Sequence, residues 1–178
     1  MANYKHFFLC LIAATLISCS HRIGTETIAL NKQQIDTFIL NKEIKDTAIK
    51  NIDGRITVIT FEQEDEAGLY VVYELNGEIE SAGMYYSNKV SMDKLPDVRT
   101  SGISTGIPFV TLSITNKELI NQTEKVEVLW NDGHRSVENL NNQSSIIIPY
   151  KENTQNAEKS YFEILFMDSN GDTIHEIN

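Results

Sequence analysis

The apolar positions of this chain fall into two rhythms. From Asn31 to Lys42, Ile35, Phe38 and Ile39 recur at helical spacing and make one apolar stripe. Asn31 can cap that stretch, and Gln34 at the third position resembles a capping box. So short a helix needs a surface to pack on. A second turn of helix is expected over Asn116 to Asn121, with Leu119 and Ile120 turned inward.

The rest alternates at strand spacing. Val110, Leu112 and Ile114 face one way, with Thr111 and Ser113 on the other side. Val126, Val128 and Trp130 alternate with Lys125 and Glu127, and Phe162, Ile164 and Phe166 with Tyr161 and Glu163. Such strands are half-buried, with one wet face. Ile146-Ile147-Ile148 breaks the alternation and Pro149 follows, so that strand is buried or at an edge.

Turn dipeptides punctuate the strands. Asp53-Gly54, Asn76-Gly77, Asp132-Gly133 and Asn170-Gly171 each separate two strand-like runs. These pairs suit type I′ hairpins, whose central residues need φ > 0. The expected fold is mainly β and built of antiparallel hairpins. Residues 31–86 form the helix packed on an antiparallel meander of three or four strands. Residues 87–106 are polar and aperiodic, and read as a loop or linker. Residues 107–178 hold strands near 107–114, 124–130, 134–140, 145–150, 160–167 and 173–177, a count that suits an immunoglobulin-like sandwich. Residues 151–159 read as a solvated loop.

The first thirty residues have a different grammar. Lys5 precedes an apolar run, Phe7 to Ile17, that is about half of the roughly 20 residues a membrane span needs. A basic start, a short apolar core and a small-residue cut site are the marks of a secretory leader. Leu16-Ile17-Ser18-Cys19 at the end of the run resembles the lipobox of bacterial lipoproteins. That resemblance implies that the Cys19 thiol is joined to diacylglycerol, that residues 1–18 are removed by signal peptidase II, and that residues 19–30 are the lipidated cysteine and its tether. Acyl chains, at about 0.8 kcal/mol per buried CH₂, would then hold the protein on a membrane facing outside the cytoplasm.

Composition narrows the function classes. The 178-residue chain carries a net charge of −10, and losing the leader removes only one cation, Lys5. A field of that sign repels phosphate backbones, so no nucleic-acid partner is expected. Of the two cysteines, Cys10 leaves with the leader and Cys19 takes the lipid. The mature domain then has no disulfide, no thiolate nucleophile and no thiolate zinc ligand.

Several constellations invite chemistry. Gly102-Ile103-Ser104-Thr105-Gly106 matches the G-x-S-x-G nucleophile elbow, but no core strand precedes it and a strand with Pro108, not a helix, follows. A triad on Ser104 would draw on Asp132 or Asp168 and on His134 or His175. Those histidines lack metal-ligand spacing, and His21 lies in the tether. Asp168-Ser169-Asn170-Gly171-Asp172 starts like a calcium loop but lacks its closing Glu, and reads better as a polar turn. Glu62-Gln63-Glu64-Asp65-Glu66 is a solvated acidic run or a patch for a basic partner. Tyr70, Tyr73, Tyr85, Tyr86 and Trp130 form either an aromatic binding face or, as is commoner at strand spacing, core and cross-strand pairs.

The leading expectation is a lipid-anchored, non-enzymatic binding or structural module of the cell envelope, with no metal or cofactor. It would meet the membrane through Cys19 and a protein partner through its sheets. The alternatives are an acidic inhibitor or immunity-type lipoprotein that masks a basic enzyme, and a hydrolase using Ser104 with a histidine.

Overall fold

The computed structural model describes residues 26–63, 66–87, 98–101, 108–150 and 161–178. The leader, the lipobox at Leu16–Cys19, the Gly102–Gly106 motif and the loop 151–159 lie outside these residues.

Helix α1 spans Lys32–Lys42. Asn31 caps it as expected: the Gln34 N–H donates to Asn31 Oδ1 at 3.0 Å, and the Asn31 N–H donates to Gln34 Oε1 at 2.9 Å. It stops at Glu43, which takes a left-handed conformation with φ 54°. Four strands follow: β1 (Asp46–Ile52), β2 (Ile56–Glu62), β3 (Glu66–Leu75) and β4 (Glu78–Ser87). They form one antiparallel meander in chain order. Then come β5 (Val98–Ser101), β6 (Phe109–Ile114), α2 (Lys117–Gln122), β7 (Lys125–Trp130), β8 (Arg135–Asn139), β9 (Ser145–Pro149), β10 (Tyr161–Met167) and β11 (Thr173–Ile177). These strands build a three-stranded sheet, β5-β6-β9, and a four-stranded sheet, β11-β10-β7-β8.

The layers follow from strand parity. On β2 and β3, Ile59, Phe61, Tyr70 and Val72 point to one face and meet Leu30 and Phe38 beneath α1. Val58, Leu69 and Val71 point to the other face, with Ile52 and Ile56, and meet Phe109 and Ile147 of the three-stranded sheet. The opposite face of that sheet carries Val110, Leu112, Ile114, Ile146 and Ile148, which pack on Val126, Val128, Trp130, Ile164 and Phe166. The order is helix, meander, three strands, four strands. Lys50 of β1 and Glu138 of β8 add an ion pair of 2.7 Å between the meander and the four-stranded sheet.

This stacking corrects the expectation of one wet face for β6. Thr111 is buried and Phe109 belongs to the meander's core, because the meander covers that side. It also explains Ile146-Ile147-Ile148: β9 is an edge strand in its own sheet, yet every residue in it is buried. Ile147 serves one core while its neighbours serve the other, so an unbroken apolar run is what the position requires.

Two boundaries also move. The expected linker 87–106 contains β5, and Ser87 closes β4. Residues 27–30 of the expected tether 19–30 join the body, because Thr27 and Leu30 are buried. The Ala29 N–H donates to Gly54 O at 2.9 Å, and Ile28 bridges Glu74.

The turns divide into two kinds. Asp53-Gly54 and Asn76-Gly77 have both central residues at positive φ, as type I′ demands. At Asp132-Gly133 and Asn170-Gly171 only the glycine is at positive φ, 86° and 87°. There Gly133 N–H donates to Trp130 O and Gly171 N–H to Asp168 O, which makes the three-residue loop that ends in a left-handed glycine. A type I′ turn also forms at Asn141-Asn142, φ 52° and 57°, where the chain leaves β8 for β9 in the other sheet.

Candidate functional site

The expected aromatic set does not share one surface. Trp130 is buried in the sandwich core, where its Nε1 donates to Ser136 Oγ at 3.0 Å. Tyr73 packs against the core on the far side of the meander, and burial, then Glu80, pushes its phenol pKa up. Tyr86 lies on β4, beside Tyr85.

Tyr70 and Tyr85 do come together, on the α1 side of β3 and β4, with the rings of Phe38 and Phe61, which were not among the expected aromatic set. Phe38 of α1 stands edge-on to Tyr70 at 5.2 Å, and Phe61 stacks on it at 5.5 Å. Tyr85 is edge-on to both Phe61 and Tyr70, at 5.8 and 5.4 Å. Such edge-to-face and offset geometries suit the ring quadrupoles. Glycines make the room. Gly68 pairs with Phe61 and Tyr85, and Gly83 pairs with Tyr70. A Cβ on Gly83 would meet ring atoms of Tyr85 and Tyr70 at 2.9 and 3.0 Å.

The Tyr85 hydroxyl hydrogen-bonds to that of Tyr70. Burial first, and then that bond and the Tyr85 charge, raise the Tyr70 pKa well above its ordinary value. A phenol so shifted is a hydrogen-bonding group and not a base near neutral pH. The Lys42 ammonium sits 5.6 Å from the Tyr70 ring centroid and 5.8 Å from that of Phe38, a cation–π contact at the rim. The cluster therefore fastens the helix to the sheet, and Tyr85, 51% exposed, is its open side.

The candidate acid–base residues are parts of turns. The Asp132 carboxylate accepts the His134 backbone N–H at 3.1 Å through Oδ1 and the Tyr150 hydroxyl at 2.6 Å through Oδ2. The His134 ring lies 4.6 Å from that of Tyr150. Tyr150 follows β9, so this contact ties the β7–β8 turn to the opposite sheet. Asp168 Oδ1 accepts the N–H groups of Asn170 and Asp172, both at 2.9 Å. The Asp172 N–H above all, with Asn170 and Gly171 helping, holds the Asp168 pKa below its ordinary value.

His175 is on β11 opposite Phe166, which in turn pairs with Val126, whereas His134 pairs with Trp130 at the far end of β7. Register alone puts the two histidines roughly 13 Å apart along the strands and on opposite sides of β7. Ser104 and His21 lie outside the described residues. Among the described residues no group of three His, Cys, Asp or Glu side chains is placed to hold a metal ion. Glu62 and Glu66, at the ends of the acidic run, are exposed, and Gln63 turns its amide to Glu43 O at 2.8 Å.

Among the described residues no helix is long and apolar enough to cross a membrane. Compared with known proteins, the chain matches no family model, no curated protein and no solved structure.

Proposed function

We propose that this chain is a lipoprotein, anchored through Cys19 and facing outside the cytoplasm, whose body is a non-enzymatic binding or structural module of the envelope. The observation that carries the reading is the passage from Leu16-Ile17-Ser18-Cys19 into the body. Only Ser20 to Glu26 separate the proposed lipidated cysteine from Thr27, the first buried residue among those described. At about 3.5 Å per extended residue, that segment reaches no more than about 28 Å. An anchor at Cys19 would therefore keep the body within that distance of the lipid, tethered at the end of the meander where Ile28 meets Glu74 and Ala29 meets Gly54.

The sandwich half is read as immunoglobulin-like. Three strands against four, with the chain changing sheets between β6 and β7, between β8 and β9 and between β9 and β10, support that reading. The roles of Asp132 and Asp168 as turn-holding acceptors favour a structural body over a catalytic one.

The test is metabolic labelling with radioactive palmitate. The unaltered protein takes the label and sediments with membranes, and Cys19→Ala loses both properties. Label that survives Cys19→Ala contradicts the assignment.

A further inference from the structure

The β4 strand is the edge of the meander, and the direction of its backbone groups can be worked out. The Ile28 N–H donates to Glu74 O at 3.0 Å, and the Glu74 N–H donates to Ile28 O at 2.8 Å. Glu74 thus turns both peptide groups away from β4. Successive residues of an antiparallel strand alternate in this respect. Tyr73 and Leu75 therefore face β4, and their partners Glu80 and Glu78 face back. Ile79, Ser81, Gly83 and Tyr85 must direct N–H and C=O outward. Among the described residues no strand pairs with them there.

This edge has few of the usual defences. It is ten residues long, in unbroken register with β3, and holds no Pro or Lys. Residues 78–85 are exposed throughout, with Ile79 at 45% and Tyr85 at 51%. Its charges, Glu78 and Glu80, are confined to one end.

We propose that β4 pairs antiparallel with β4 of a second copy, about a two-fold axis through Ala82. In this register Ser81 opposes Gly83 of the other copy and Ile79 opposes Tyr85, so the outward-facing groups pair with one another. Glu80 falls opposite Met84 and Glu78 opposite Tyr86, so no like charges are opposed across the pair. Moving the axis two residues toward the N-terminus, onto Glu80, would set Glu80 directly opposite its own copy. The two meanders become one eight-stranded sheet, and the axis is isologous. The proposal rests on the sheet alone and does not require the lipid.

The test uses the full-length chain in detergent. Sedimentation over a range of concentrations should show a monomer–dimer equilibrium. Ser81→Pro deletes an N–H that points outward and so removes no bond within the sheet. It should weaken dimerisation at least tenfold while the circular dichroism is unchanged. Ala82→Cys places two thiols on the axis, where paired Cα atoms lie about 4.5 Å apart, inside the range a disulfide spans. Mild oxidation should crosslink that variant and not Val137→Cys, an exposed position on β8. Crosslinking of Ala82→Cys decides the matter if Ser81→Pro fails to fold. A chain that stays monomeric at every concentration, or a dimer indifferent to Ser81→Pro and uncrosslinked at Ala82→Cys, overturns the proposal. So does a monomer whose β4 crosslinks only to a different protein.

Discussion

Tyr70 and Tyr85 meet edge to face, ring planes at 90° and centroids 5.4 Å apart, over a stretch of β3 and β4 where Gly68 pairs with Tyr85 and Gly83 with Tyr70. Both tyrosines occupy the space that a Cβ on Gly83 would claim, and the Met84 backbone and the Phe61 ring occupy that of Gly68.

The two glycines should therefore differ in cost. A Cβ on Gly68 would run into the backbone oxygen of Met84, which cannot move without breaking the β3–β4 ladder. A Cβ on Gly83 meets the ring tips of Tyr85 and Tyr70, and the exposed Tyr85 can swing away. Gly68→Ala should destabilise the protein by about 1–3 kcal/mol, the usual cost of overpacking, and Gly83→Ala by less. Urea denaturation of the two variants measures the difference.

The hydroxyl pair predicts an alkaline effect. The folded Tyr70 pKa lies above its unfolded value of 10.0, so its contribution to stability is complete below that pH and is lost as pH rises past it. Chemical denaturation between pH 9 and pH 11 should show stability falling for the unaltered protein. Tyr70→Phe should flatten that fall, and an unchanged slope would mean that another group titrates.

Trp130 is the chain's one tryptophan and is buried in the sandwich core. Its indole N–H has Ser136 Oγ as acceptor, and Ser136 is itself fully buried. Ser136→Ala leaves that donor without this acceptor, at a cost of about 1–3 kcal/mol. The same variant should shift the tryptophan emission, so fluorescence reports both the unfolding midpoint and the local change.

Ile147 joins the halves. Its side chain belongs to the meander's core, although its strand belongs to the sandwich. Ile147→Ala should cost about 2–5 kcal/mol. It should lower the unfolding midpoint seen by Trp130 fluorescence and by far-ultraviolet dichroism equally. Two separate transitions in the unaltered protein would show that the halves fold independently.

Much of this fold can be read from the chain. The Asn31 cap, the Ile35–Phe38–Ile39 stripe and the type I′ turns at Asp53-Gly54 and Asn76-Gly77 are local features, and local propensity decides them. What could not be read is long-range. Nothing in the sequence of β6 says that a meander covers Thr111, and β5, four residues with the single apolar Val98, carries no period to detect. The Asp132-Gly133 and Asn170-Gly171 loops show that a dipeptide fixes where a hairpin turns but not which turn it makes. Asp168 is spent on its own loop, and Asp132 is shared between its loop and the Tyr150 hydroxyl. The aromatic cluster was half legible. Tyr70 and Tyr85 stood out, but Phe38 and Phe61 reach them only through packing, and the signal that could have found the site was Gly68 and Gly83 amid strand residues.

The lipid proposed on Cys19 is tested most directly by the mass of the mature protein. Intact mass spectrometry of the chain extracted from membranes should find Cys19 as the first residue, carrying diacylglycerol. A polypeptide that keeps residues 1–18, or that begins elsewhere without a lipid adduct, contradicts the account.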